Sequence, residues 1–220
     1  MHATHPATKV INTFWNTIPN TINKPFVHDL DEIADEAGVG PKVAAITARA
    51  MNGEVGFEEA LIERVLLLKG LSSGVIASVL ANRIELMPGS RELIQTMKRN
   101  GAYSALVSGG FTHFTIPVSE RLGMDENRAN SLEERNGHFT GNVIPPILGR
   151  EAKVQALQEI ALQHKVHTDD VLAVGDGAND IGMLALAGSG VALHAKPVVA
   201  QHATFRIDHG DLTALLYLQG

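Results

Sequence analysis

From Pro88 onward the chain alternates two patterns, and this alternation limits its fold more than any other feature. Short apolar runs at 103–107, 171–174 and 190–193, with a further one at 204–207, are separated by stretches of helical spacing that end near Arg99, Leu122, His164 and Ala187. An apolar run of four or five residues closed by glycine reads as a buried strand, and strands alternating with helices read as a parallel sheet. Ligands in such a sheet sit outside the carboxyl ends of the strands. Two of the runs end in chemically distinctive residues. The first leads into Ser108-Gly109-Gly110 and the second into Gly175-Asp176-Gly177, so both are predicted to face one crevice. Asn136-Gly137 is a hairpin signal between 130–133 and 138–143.

From Leu30 to Pro88 the period is helical. Leu30, Ile33, Ala34 and Ala37 follow the i, i+3, i+4, i+7 rule, and Gly38 is a natural stop. Further helices are predicted at 41–51, with Pro41 in the first turn, at 57–69, with Phe57, Leu61, Val65 and Leu68 on one stripe, and at 73–81. This helical module precedes the strand–helix region and reads as a cap placed near the ligand edge. Residues 1–28 differ from both regions. They contain no Asp, Glu or Arg and are rich in Thr and Asn. A transit peptide would be rich in Arg.

Three places carry chemistry. Ser108-Gly109-Gly110 offers a hydroxyl and closely approachable backbone N–H groups, which suit a phosphate oxygen. A plain turn before a helix would look similar. Gly175-Asp176-Gly177-Ala178-Asn179-Asp180 sets two carboxylates four residues apart at a strand-to-helix turn. Hard oxygen ligands there suit magnesium, and Asn179 can donate to a phosphate oxygen. A helix capped by Asp is the simpler alternative. Lys153 lies on the helix at 150–164. Alone it would be a solvated charge, but beside the other two it would neutralise a phosphate.

Composition narrows the function classes. Net charge is −6 with no Lys/Arg block, which argues against nucleic-acid binding. The absence of cysteine excludes disulfides, thiolate zinc sites and cysteine nucleophiles. No apolar run reaches membrane-span length and no signal pattern opens the chain, so no membrane partner is expected and the cytoplasm is the default. No P-loop is present, which argues against a nucleotide-driven kinase. Oligomeric state is not encoded in any of these features.

Ser108-Gly109-Gly110, Lys153 and the segment Gly175 to Asp180 resemble the second, third and fourth motifs of the haloacid dehalogenase superfamily. The resemblance is closer still to its phosphoserine phosphatases. Asp31-Glu32-Ile33-Ala34-Asp35-Glu36-Ala37-Gly38, Ile46-Thr47-Ala48-Arg49-Ala50-Met51-Asn52-Gly53-Glu54 and Arg64-Val65 resemble their cap. Leu106-Val107-Ser108-Gly109-Gly110-Phe111-Thr112, Thr140-Gly141-Asn142-Val143 and Ala195-Lys196-Pro197 resemble their core. The resemblance covers roughly 29–220. It implies an α/β fold, a Rossmann-like parallel sheet of the haloacid dehalogenase type with an inserted four-helix cap. The implied organisation is an atypical leader at 1–27 replacing the first core strand, a helical cap at 28–86 and an α/β phosphatase core at 87–220. The implied catalytic groups are Lys153 and Asp180, with Ser108, Gly109 and Asn179 on the phosphate and Asp176 as ligand to Mg2+. Met51, Phe57 and Arg64 would shape the substrate pocket, Arg64 holding a carboxylate through its guanidinium fork.

The first motif of that family, Asp-x-Asp-x-Thr after the first strand, has no counterpart. The register of the cap places Pro19-Asn20-Thr21-Ile22-Asn23 there, and His28 where the family has a glutamate. None of these can attack phosphorus or act as the general acid. Asp29-Leu30-Asp31 has the Asp-x-Asp form, with Asp29 as an alternative nucleophile, but it opens the cap helix on its polar side. The expected function is therefore hydrolysis of O-phosphoserine to serine and phosphate, as in serine biosynthesis, impaired by the missing nucleophile. The alternative is a non-catalytic binder of phosphate or phosphoserine. Loss of a nucleophile costs about 10⁴ to 10⁶ in turnover. The first strand is central in such a sheet, and only Val10-Ile11 and Thr13-Phe14-Trp15 offer apolar material to replace it. A marginal fold is expected if they do not pair.

Overall fold

The computed structural model describes residues 9–12, 29–52, 54–149 and 151–218. The elements run β1 (Lys9–Asn12), α1 (Asp29–Glu36), α2 (Gly40–Met51), α3 (Phe57–Leu66), α4 (Val75–Asn82), α5 (Ser90–Arg99), β2 (Ser104–Phe111), α6 (Thr112–Leu122), β3 (Glu126–Arg135), β4 (His138–Ile144), α7 (Ala152–Gln163), β5 (Val171–Gly175), α8 (Ile181–Leu186), β6 (Ser189–Leu193), α9 (Pro197–Ala200), β7 (Phe205–Ile207) and α10 (Ala214–Tyr217). The strands form a seven-stranded sheet of order β4-β3-β2-β1-β5-β6-β7. Every pairing is parallel except β3 with β4.

Residues 9–12 take the central seat. Val10, Ile11 and Asn12 pair with Ser104, Ala105 and Leu106 of β2, and Lys9 to Asn12 pair with Val171 to Val174 of β5. Of the two apolar segments offered as replacements for the first strand, the one containing Val10-Ile11 pairs on both sides, so the condition for a marginal fold is not met. The rest of the leader lies outside the described residues.

The central strands β2, β5 and β6 are buried, as the middle of a parallel sheet requires. On β5, Val171 and Ala173 pack beneath α7 and α8 with Leu157, Ile160, Met183 and Leu184. The alternate residues Leu172 and Val174 pack on the other face with Leu93, Met97, Leu212 and Leu215. A further cluster joins the helices before Pro88 to the core, with Leu30, Ile33, Val65 and Leu68 against Phe111, Phe114, Leu132 and Phe139. Arg83, just past α4, adds ion pairs to Glu32 at 2.6 Å and Glu36 at 3.0 Å of α1.

The helical module is also tied to the β3–β4 hairpin through backbone. Gly70 N–H donates to Phe139 O at 2.8 Å, Phe139 N–H to Leu71 O at 2.9 Å, and Ser73 N–H to Gly137 O at 2.9 Å. The hairpin turn has Asn136 at φ 54 and Gly137 at φ 74, the paired positive angles of a tight two-residue connection.

Three local differences from the sequence reading have physical causes. Helix α3 stops at Leu66 rather than Lys69, because Leu67, Leu68 and Lys69 tighten to i→i−3 bonds. Strand β2 continues through Ser108-Gly109-Gly110 to Phe111 instead of ending at Val107. The four-residue helices α9 and α10 are too short to give a periodic signal. No helix among the described residues is long and apolar enough to cross a membrane.

Candidate active site

The site forms where β2 and β5 flank β1. Asn12 is in register with Leu106 on one side and Val174 on the other. Ser108 and Asp176 each stand two residues further along, at the same height on either side of the central strand. Two strand spacings separate them, about 10 Å. Both side chains are buried.

The β2–β3 ladder breaks at the first motif. Val107 pairs with Arg128 and Phe111 with Asn130, so Ser108, Gly109 and Gly110 face the single residue Ala129. Bulges of this kind re-aim a strand beside a site. Within the bulge Ser108 Oγ accepts from Gly110 N–H at 3.0 Å. Gly109 lies open to the cap, where a Cβ would stand 3.8 Å from Phe57 Cζ.

The second motif is organised by Asp180, which is fully buried. Its Oδ2 accepts from the N–H groups of Asp176 at 3.0 Å and Gly177 at 2.9 Å. Its Oδ1 takes the Lys153 ammonium. Gly175 is required here, since a Cβ would come within 2.5 Å of Asp180 Cβ. Lys153 is itself only 4 % exposed, so it is not the solvated charge a lone helical lysine would be. Helix α7 packs on both α8 and β2, which brings Lys153 to this edge. A buried charge pair is tolerated where hydrogen bonds satisfy its remaining atoms, and three donors do so at Asp180.

The remaining predicted residues are spread over the cap and the loop edge. Phe57 opens α3 and reaches towards the core, within 4.0 Å of where a Cβ on Gly149 would stand. An open cleft of about 750 Å³ lies there, lined by Phe57, Glu58, Ile62, Glu63 and Gly149. Arg64 is on the same helix, its Nε donating to Ala60 O at 3.1 Å. Asn179 lines a second cleft between α7 and α8, with Val154, Gln155 and Gly182. The side chains of Met51 and Asp29 lie outside the described residues, as does His28; Asp29 is the first residue of α1.

Among the described residues no group of three or more His, Cys, Asp or Glu is placed to hold a metal. The donor set that remains among them is a buried carboxylate, Asp176, across the central strand from the Ser108 bulge. Magnesium accepts one or two carboxylates with waters and phosphate oxygens, so Asp176 fits such an ion only together with a bound phosphate.

Comparison with known proteins bears on this constellation. The haloacid dehalogenase-like hydrolase family matches residues 30–185. The chain belongs to the haloacid dehalogenase-like hydrolases. It is 44% identical over 186 residues to a phosphoserine phosphatase of Archaeoglobus fulgidus, covering 84% of this chain and 54% of the relative. It is 40% identical over 187 residues to a phosphoserine phosphatase of Lactococcus lactis, covering 85% and 86%. A substrate-bound phosphoserine phosphatase structure superposes with TM-score 0.83 at 37% identity, covering 96% of this chain and 97% of that one. The chain spans about half the length of the first curated relatives it matches.

One residue at the edge of this haloacid dehalogenase-like site escaped the sequence reading. Asn130 on β3 is buried and bonds to both Gly109 and Leu148. The available signal was its period-two spacing with buried Leu132, which places a polar residue on a core-facing position.

Proposed function

We propose that this chain carries a phosphoserine-handling site of the phosphoserine phosphatase kind, in the cytoplasm, with magnesium as its ion. The reaction would be O-phosphoserine plus water to serine plus phosphate. The observation that carries the reading is the buried Lys153–Asp180 pair on the same sheet edge as the Ser108 bulge. That pair keeps a fixed positive charge in a dry place, where it acts strongly on a phosphoryl group. Ser108 and the glycine backbone would hold phosphoryl oxygens. Asp180 orients Lys153 and fixes the loop through two amides. Asp176 would hold magnesium, which when bound supplies charge neutralisation at the phosphate. Phe57 and Arg64 of the cap would enclose the amino-acid end, and the guanidinium suits its carboxylate.

A second reading has its own observation. Residues 1–28 contain no Asp or Glu, so no carboxylate follows β1 before Asp29. A phosphate cradle without an attacking carboxylate in that stretch would bind phosphoserine or phosphate without turning it over. The two readings differ in turnover alone. The deciding experiment measures phosphoserine binding and phosphate release with magnesium, beside Asp176→Asn. The expected result is binding with release lower by about 10⁴ or more than an intact site would give. Clear release, lost in Asp176→Asn, would overturn the binder reading and make Asp29→Asn the next variant.

A further inference from the structure

Asn130 is 1 % exposed, yet it carries a primary amide. A buried amide is costly unless its atoms are paired. Here its Nδ2 donates to Gly109 O at 2.9 Å and to Leu148 O at 3.4 Å, and its Oδ1 accepts from Leu148 N–H at 2.7 Å. Gly109 is the middle of the Ser108 bulge, and Leu148 lies a few residues before α7, whose second residue is Lys153. One side chain thus spans the β2 bulge and the loop before α7, which share no ladder with each other.

We propose that Asn130 is a positioning residue, holding the Gly109 bulge and the Leu148 segment in the mutual register that the phosphate cradle requires. The inference rests on the phosphate-site reading above. The residue type follows from the chemistry. Two carbonyls must be met by donors and one N–H by an acceptor, and a primary amide offers both in one plane. Aspartate keeps the acceptor but sets a carboxylate against two carbonyl oxygens. Alanine leaves all three backbone groups without this partner. Either change lets Ser108 shift relative to Lys153, and small displacements of a binding group are expensive.

The test uses Asn130→Asp and Asn130→Ala in the full chain, with Thr115→Val as control. Thr115 of α6 is buried and donates to Asn127 Oδ1 of β3 at 3.2 Å, a bond that involves neither the bulge nor the Leu148 segment. Two readouts are taken well below each variant's Tm: inorganic phosphate affinity with magnesium by calorimetry, and amide hydrogen exchange at 108–110 and 148–149. The expected result is phosphate binding weaker by about tenfold or more in both Asn130 variants, with faster exchange in both loops. Thr115→Val should lower Tm yet leave affinity and loop exchange as in the parent. Asn130 variants that bind phosphate within about twofold of the parent, or a control that loses affinity equally, would overturn the proposal. If the parent itself does not bind phosphate, the site reading falls, and exchange still decides: faster loops support Asn130 as the clasp and unchanged loops refute it.

Discussion

Lys153 and Asp180 show how much of this site depends on single atoms. The carboxylate has no exposure, and its oxygens are met by one ammonium and two N–H groups. Removing the cation alone leaves an anion in a dry interior, which is costlier than removing both charges. Lys153→Met should therefore destabilise the protein by about 3–5 kcal/mol. The double variant Lys153→Met with Asp180→Asn should recover part of that loss, since the amide oxygen still accepts from the loop. Urea unfolding of the three proteins checks this, and a double variant no better than the single one would show that the pair is not coupled. At this scale the sequence was readable for position. Asp176, Ser108 and Gly109 fall at the sheet edge as their positions after apolar runs suggested. The burial of Lys153 was not readable from its helix, because tertiary packing of α7 on β2 and α8 decides it. For Asn130 the period-two spacing with Leu132 marks a core-facing position, but its partners lie on other segments and leave no mark in the sequence.

Among the elements, β1 is the most informative. Only four residues long, it sits between β2 and β5 and bonds to both. A proline in a central strand removes a ladder donor and is found there only at edges or bulges. Ile11→Pro should cost about 2 kcal/mol or more, read as a lower Tm in a thermal melt. An unchanged Tm would mean that 9–12 do not hold this seat. Element existence was legible from period for the long amphipathic helices, and from continuous apolar runs for β5 and β6. It failed for α9 and α10, which have too few residues for a period, and at the end of β2, where glycines that look like a turn stay extended.

The whole molecule is closed at the end of the sheet opposite the site by Asp125. Its carboxylate takes Lys98 of α5 at 2.7 Å and the Ser104 N–H at 2.9 Å and hydroxyl at 2.8 Å, joining α5, the α6–β3 loop and the start of β2. Burial pushes this carboxyl up, but the bonds from Lys98 and Ser104 outweigh it and hold its pKa below the ordinary value. A group whose pKa is depressed by folding stabilises the fold above its unfolded pKa and stops doing so as pH falls through the folded one. Asp125→Asn should thus be less stable than the parent at neutral pH, and the gap should close below the ordinary carboxylate range. Chemical unfolding at a series of pH values measures it; a gap independent of pH would mean that the charge of Asp125 adds nothing. The plan of a sheet between helices with a helical module beside it was legible because alternation and period are properties of long stretches. How that module is fastened was not, since backbone bonds from Gly70, Leu71 and Ser73 to the hairpin leave no mark on side-chain pattern.

The central strand carries one last implication. A parallel ladder asks its occupant for little more than amides, carbonyls and a shape that fits between neighbours. Many segments can answer that request, and 9–12 do. Catalysis asks for one particular side chain at one particular height. Architecture and reactivity are therefore separate demands on this strand: the row in the middle can be seated by amides and carbonyls alone, whatever side chain stands at its upper end.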